Sequence, residues 1–227
     1  MIPGEPVSQS TPARLWDGPT RLVHWGLVGL IGFSWWSAET ERMEWHRWSG
    51  YAVLALVVFR VVWGLVGPDS ARFSRFVKGP RAIAAYAKTF SSRSPSETPG
   101  HNPLGALSVV AILGLLSTQV ITGLFAVDVD GLESGPLSDR VDFETGRQFA
   151  DWHHWSFAGL QVLIVLHVAA VVFYLAYKRS NLVGPMITGR RVFDRDPELR
   201  FAPLWRAAPV AILAGLLAWW ISTGLRV

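Results

Sequence analysis

Five stretches of this chain carry almost no charge, and each is nearly long enough to cross the roughly 30 Å hydrocarbon core of a bilayer. They are Leu22–Ala38, Trp48–Gly67, Thr98–Val127, Trp152–Tyr177 and Ala207–Leu225, and the only charged residue well inside any of them is Arg60. A segment in lipid must satisfy its own backbone polar groups, so these stretches are predicted to be helices. The expected class is an all-α membrane protein, a four-helix transmembrane bundle followed by a fifth, C-terminal transmembrane helix. The first 21 residues are polar and proline-rich and no small-residue cleavage site follows the first apolar run, so that run is expected to be a retained span beginning near Pro19.

The intervening segments orient the spans. Residues 37–46 hold Glu39, Glu41 and Glu44 against Arg42, and residues 127–151 hold seven acids against Arg140 and Arg147. Residues 67–100 hold six Lys/Arg against Asp69 and Glu97, and residues 177–206 hold seven against three acids. Lys and Arg collect in cytoplasmic loops. The N-terminus and the second and fourth loops are therefore expected to be cytoplasmic, with the first and third loops and the C-terminus on the other side. Tryptophans such as Trp16, Trp25, Trp45, Trp48, Trp152 and Trp205 fall near span ends, as indole rings do at the headgroup level. Gly79–Phe90 reads as a short surface helix opened by Pro80. The formal net charge of +4 belongs to loops at a membrane surface, and no nucleic-acid partner is expected. Cysteine is absent, which excludes disulfides, thiolate-bound metals, iron–sulfur clusters and thioether-bound haem.

Ionisable side chains at membrane depth are functional candidates by default. His153 and His167 lie fourteen residues apart. On a helix that step leaves them about 40° apart on one face and separates them by about 21 Å. His154 is rotated about 140° from His167 and is the alternative to His153 only if the helix begins irregularly. His46 opens the second span at the depth of His153, and His24 enters the first at the depth of His167. Depth alone pairs His46 with His153 on the outer side and His24 with His167 on the inner side. Opposed neutral imidazoles across a bundle can supply both axial ligands of a six-coordinate haem iron. Arg60 is fourteen residues beyond His46, at the depth of the inner pair. No Asp or Glu lies in any span, so a haem propionate is the expected counter-ion, against the alternative of snorkelling to the surface.

Rival readings follow from the same residues. Transmembrane histidines also occur as packing residues. A zinc or copper site would draw its ligands to one point rather than two levels. A proton relay would need intramembrane carboxylates. A transporter would need broken helices around a polar midplane, for which Ser117, Thr118 and Gln119 are the only cluster.

Several segments carry a resemblance. They are Arg14–Trp25 with its Trp-Asp-Gly-Pro-Thr-Arg-Leu-Val-His run, Trp45–Gly50, Arg60–Gly64, Gly100–Gly105, Thr122–Phe125, and Trp152–His154 through Leu166-His167. In their order and spacing they resemble the prokaryotic di-haem cytochrome b561 family, which includes the b-type cytochrome subunit of nickel–iron hydrogenases. The resemblance covers roughly residues 14–180. It implies a di-haem cytochrome b domain over 1–180, with 181–227 forming a basic cytoplasmic loop and the C-terminal helix. It also implies two haem b groups held by His24, His46, His153 and His167, and a multi-pass protein of the bacterial inner membrane. Gly50, Gly105, Gly123 and Gly159 are candidates for close porphyrin approach. His101, in the Gly100–Gly105 segment, is a candidate contact for an inner propionate or a quinone.

The expected function is transmembrane electron transfer between the quinone pool and a periplasmic redox protein, either cytochrome c-like or a dehydrogenase subunit. The acidic outer loop, with Asp139, Asp142 and Glu144, is the expected docking surface for a basic partner. The alternative is direct oxidation of superoxide with quinone as acceptor. The acidic face opposes it, and Arg47, Arg140 or Arg147 would have to supply a local positive focus. Whether the protein acts as a quinone oxidoreductase in its own right, and whether it forms a homo-oligomer, both stay open at this level.

Overall fold

The computed structural model describes residues 11–90, 92–93 and 98–226. The first ten residues and Glu97, which entered the topology reading, lie outside the described residues. In chain order the elements are β1 (Thr11–Arg14), α1 (Gly18–Glu39), α2 (Met43–Val66), α3 (Phe73–Phe76), α4 (Pro80–Lys88) and α5 (Pro103–Phe125). After a 3₁₀ turn at Ser138–Arg140 come α6 (Phe143–Ala176), α7 (Val183–Thr188), β2 (Arg190–Phe193), a second 3₁₀ turn at Leu204–Arg206 and α8 (Ala207–Ser222).

Among the described residues, four helices are long and apolar enough to cross a membrane: α2, α5, α6 and the run Leu204–Ser222 that ends in α8. The 22-residue α1 has the length, but its glycines, tryptophans, Arg21 and His24 dilute its apolar character. Each predicted span contains a helix. The largest displacement is at α6, which starts at Phe143 rather than Trp152. Asp142 starts it there, accepting from the Thr145 backbone N–H at 2.9 Å and from its hydroxyl at 2.8 Å. Those bonds hold the exposed Asp142 carboxyl below the usual carboxylate range. The first two turns of α6 are polar, so they read as loop, although the cap fixes them as helix.

α1 packs on α2 and α5 on α6, and the two pairs meet through α2 and α5. A buried layer of Val53, Val57, Leu116 and Leu160 joins all four helices at mid-height, with Leu27, Leu30, Ile31, Ile112, Leu115, Phe157 and Ile164 packed around it. α8 lies outside the four, against α2. It turns the small residues Ala214 and Ala218 inward, where helices without a hydrophobic driving force pack closest. Residues after 180 also return to the start of the chain. β2 pairs antiparallel with β1, Arg14 opposite Arg190, and the Leu15 and Trp16 backbone N–H groups donate to the Gly189 carbonyl at 2.8 and 3.2 Å. Gly189 ends α7 at φ +80°, and a Cβ there would come within 2.8 Å of the Trp16 carbonyl oxygen, so this joint needs glycine.

The acidic and basic segments collect at opposite ends of the bundle. At one end Arg47 pairs with Glu133, Arg226 pairs with Asp139, and Arg140 donates to the Gly224 carbonyl at 3.0 Å. At the other, Asp69 pairs with Arg75 at 3.3 Å and its N–H donates to the Arg200 carbonyl.

Candidate functional site

The histidines meet in two pairs on two levels. At the acidic end the rings of His46 and His153 face each other with centroids 6.0 Å apart. At the basic end His24 and His167 do so at 6.4 Å. The unbroken α6 carries both His153 and His167, so the levels are separated by its fourteen-residue rise of about 21 Å. The apolar layer of Val53, Val57, Leu116 and Leu160 lies between them. His154 is exposed on the opposite face and packs edge-on against Trp155.

These separations suit a metal held between two imidazoles. With each metal–nitrogen bond about 2 Å long and each nitrogen about 1 Å from its ring centre, two axial ligands stand about 6 Å apart, centre to centre. The ring orientations suit it too. His46 Nδ1 is 2.9 Å from the Ser34 carbonyl, and His153 Nδ1 is 2.8 Å from the Gln119 carbonyl. A carbonyl only accepts, so each Nδ1 carries the proton and each Nε2 keeps its lone pair for a metal. At the other level His24 Nδ1 is buried with no hydrogen-bond partner.

Gln119, part of a polar cluster in the sequence, and Gly123, a candidate there for close porphyrin approach, both touch His153. Gln119 donates its side-chain amide to His153 Nε2 at 2.9 Å, and its Oε1 accepts from the Ser156 hydroxyl. Its signal in sequence was polarity within an apolar span. The hydroxyls of its neighbours Ser117 and Thr118 turn back onto the carbonyls of Leu113 and Gly114, so the three do not converge on a polar midplane. Gly123 is the second: a Cβ there would lie 2.8 Å from His153 Cε1, so this glycine admits the histidine ring to the α5 backbone.

At the basic end Arg60 is buried, 6% exposed, with its guanidinium 5.0 Å over the Phe73 ring and Nη1 lacking a partner. It does not snorkel. Asp17 interacts with it through space, without an ion pair. No acid lies inside any of the five charge-poor stretches. Asp17 lies just before α1 and is drawn in as its N-cap, accepting from the Thr20 N–H at 3.3 Å and from buried Trp63 Nε1–H at 2.8 Å. The signal was present as an Asp-Gly-Pro-Thr helix start. His101 is sandwiched between Trp16 and Phe76, ring centroids at 4.8 and 4.6 Å, with Nδ1 buried and unpartnered. It lies within electrostatic reach of Arg60, His24 and His167.

A family model described as prokaryotic cytochrome b561 matches residues 15–189, which takes in α1 to α7. The chain belongs to the prokaryotic cytochrome b561 family. As a b561-type cytochrome it is a multi-pass membrane protein whose cofactor class is haem b and whose work is electron transfer. It is 28% identical over 228 residues to a protein of Azotobacter vinelandii named "Probable Ni/Fe-hydrogenase B-type cytochrome subunit", covering 85% of this chain and 93% of that one. A Cupriavidus necator protein of the same name is 28% identical over 213 residues, covering 79% and 86%. No solved structure matches the chain.

Proposed function

We propose that this cytochrome carries electrons across the bacterial inner membrane through two bis-histidine haem b groups, between the quinone pool and a redox protein on the periplasmic side. The reading is carried by one observation: two facing histidine pairs, at 6.0 and 6.4 Å, stacked at the two ends of one four-helix bundle. His46 and His153 would hold the outer haem, and His24 and His167 the inner one. Held between two histidines, each haem would supply one-electron transfer and no oxygen chemistry.

The chain's own residues supply the rest. The carbonyls of Ser34 and Gln119 fix the tautomers of His46 and His153. Gln119 must release His153 Nε2 when a metal takes that lone pair. Arg60, buried and without an ion pair, would bind an inner propionate, and His101 beside it is placed for a propionate or a quinone headgroup. The packed apolar layer keeps water out of the gap between the two levels. We place the acidic end outside and the basic end in the cytoplasm by the charge of their loops, which makes α1, α2, α5, α6 and α8 five crossings. The relatives' names make a hydrogenase-type subunit the first candidate for the periplasmic donor.

Direct oxidation of superoxide is less well supported. The cations that would have to draw it in are engaged: Arg47 with Glu133, Arg140 with the Gly224 carbonyl, and Arg147 with the Val127 carbonyl at 2.7 Å. A transporter finds no support in α5 and α6, which run unbroken. The test is an optical spectrum of the detergent-purified protein, oxidised and dithionite-reduced, with a haem count. Two b-type haems per chain are expected. One haem, or none when haem is in ample supply during expression, contradicts the reading.

A further inference from the structure

We propose that the basic end of the bundle holds a specific site for a phosphate-bearing anion, in the cleft where α6 ends. This cleft, of about 300 Å³, is lined by Arg93, Ala176, Tyr177, Lys178 and Arg179. That volume accommodates a small polar ligand or headgroup. Phe90 and Arg93, which follow α4, lie against α6 here, with Phe90 stacked on Phe173 at 4.7 Å and 12°, and Arg93 5.3 Å over the Tyr177 ring. Arg93 thereby lines the same cleft as the two cations that follow α6.

Lys178 is the decisive residue. It is only 4% exposed, its ammonium lies 5.5 Å from the rings of Phe90 and Tyr174, and among the described residues that ammonium has no hydrogen bond or ion pair. Among the described residues, neither Arg93 nor Arg179 pairs with a carboxylate either. The negative end of the α6 dipole offsets part of this charge. The last-turn carbonyls of Phe173 and Tyr174, however, already accept the backbone N–H groups of Tyr177, Lys178 and Ser180. Three cationic residues lining one cleft repel one another, and a bound anion offsets that cost. Two guanidiniums and an ammonium are the donor set that phosphate oxygens take, bidentate from Arg and as a point charge from Lys. The phosphate can belong to a lipid headgroup, as in basic pockets at membrane depth, or be free in solution. This inference does not depend on the haem proposal.

The test is native mass spectrometry of the full-length protein released from phosphatidylcholine micelles and titrated with phosphatidylglycerol, or with inorganic phosphate. Saturable binding of one phosphatidylglycerol, weakened about tenfold by Lys178→Gln and about fivefold by Arg179→Gln or Arg93→Gln, supports a lipid site. Binding of inorganic phosphate with the same variant dependence, and no preference for phosphatidylglycerol, supports the same site with a soluble ligand. Arg93 and Arg179 are exposed, so their variants keep the test intact if Lys178→Gln fails to fold. Wild-type protein that binds neither probe better than phosphatidylcholine, or Arg variants that bind as wild type does, overturns the proposal.

Discussion

Gly123 and His153 stand closer together than a side chain at position 123 allows. A Cβ on Gly123 would lie 2.8 Å from His153 Cε1, and this approach lets His153 Nδ1 reach the Gln119 carbonyl one turn earlier on α5. Alanine at 123 should therefore displace the ring from its partner carbonyl and from His46. Because alanine is the better helix former by roughly 0.5–1 kcal/mol, Gly123→Ala should leave thermal stability about unchanged while removing one of the two haems. A variant with a full haem complement would show that the ring has room to move.

Gln119 caps the lone pair that a metal would need. Gln119→Leu removes the hydrogen bond to His153 Nε2, worth roughly 1 kcal/mol, from the haem-free state, removes the bond from Ser156 with or without haem, and leaves the backbone carbonyl in place. Haem titration into apoprotein should show about fivefold tighter binding at the His46–His153 site. Loss of that haem would mean that the amide holds the histidine in position rather than blocking it.

Asp17 joins the start of α1 to α2. Its carboxylate, 2% exposed, accepts from Thr20 N–H and from Trp63 Nε1–H, and Trp63 is fully buried. Asp17→Ala loses an N-cap, about 1 kcal/mol, and strands a buried indole donor, about 1–3 kcal/mol. A large fall in the thermal midpoint in detergent is expected, with Asp17→Asn milder. Equal midpoints for wild type and Asp17→Ala would remove Asp17 from the account of the fold.

These residues mark what the sequence made legible. Charge-free runs located the helices, and the fourteen-residue step from His153 to His167 put both rings on one face because α6 is unbroken. Depth then paired them with His46 and His24, the same rings that face them across the bundle. The β1–β2 ribbon was not legible, since two four-residue strands far apart in sequence have no signal except each other. Asp17 and Gln119 were visible as polar residues, but their partners, Trp63 and His153, become apparent only when helices pack. Asp139 and Asp142, expected to serve docking, are engaged: one with Arg226, the other in capping α6.

Arg60 should tune chiefly the His24–His167 site. Removing a unit charge roughly 10 Å from a redox centre, at an effective dielectric of about 20, lowers its midpoint potential by roughly 50–100 mV. A redox titration of Arg60→Gln should show that fall in one haem and at most about half of it in the other, which is about twice as far away. Equal shifts in both haems would contradict the placement of Arg60 at one level.

Docking at the acidic end should depend on Asp130, Glu144 and Asp151, which carry no ion pair among the described residues. Their triple neutralisation (D130N/E144Q/D151N) should slow electron exchange with a basic donor and flatten its dependence on ionic strength. An unchanged rate and salt slope would move the docking surface elsewhere.

The pairing itself is tested most directly by haem content in four single variants, His24→Ala, His46→Ala, His153→Ala and His167→Ala, each followed by redox titration. The account predicts that His46→Ala and His153→Ala lose the same haem, identified by its potential, and that His24→Ala and His167→Ala lose the other. If His46→Ala and His167→Ala remove one haem together, or if all four variants keep both, the two-level scheme is wrong.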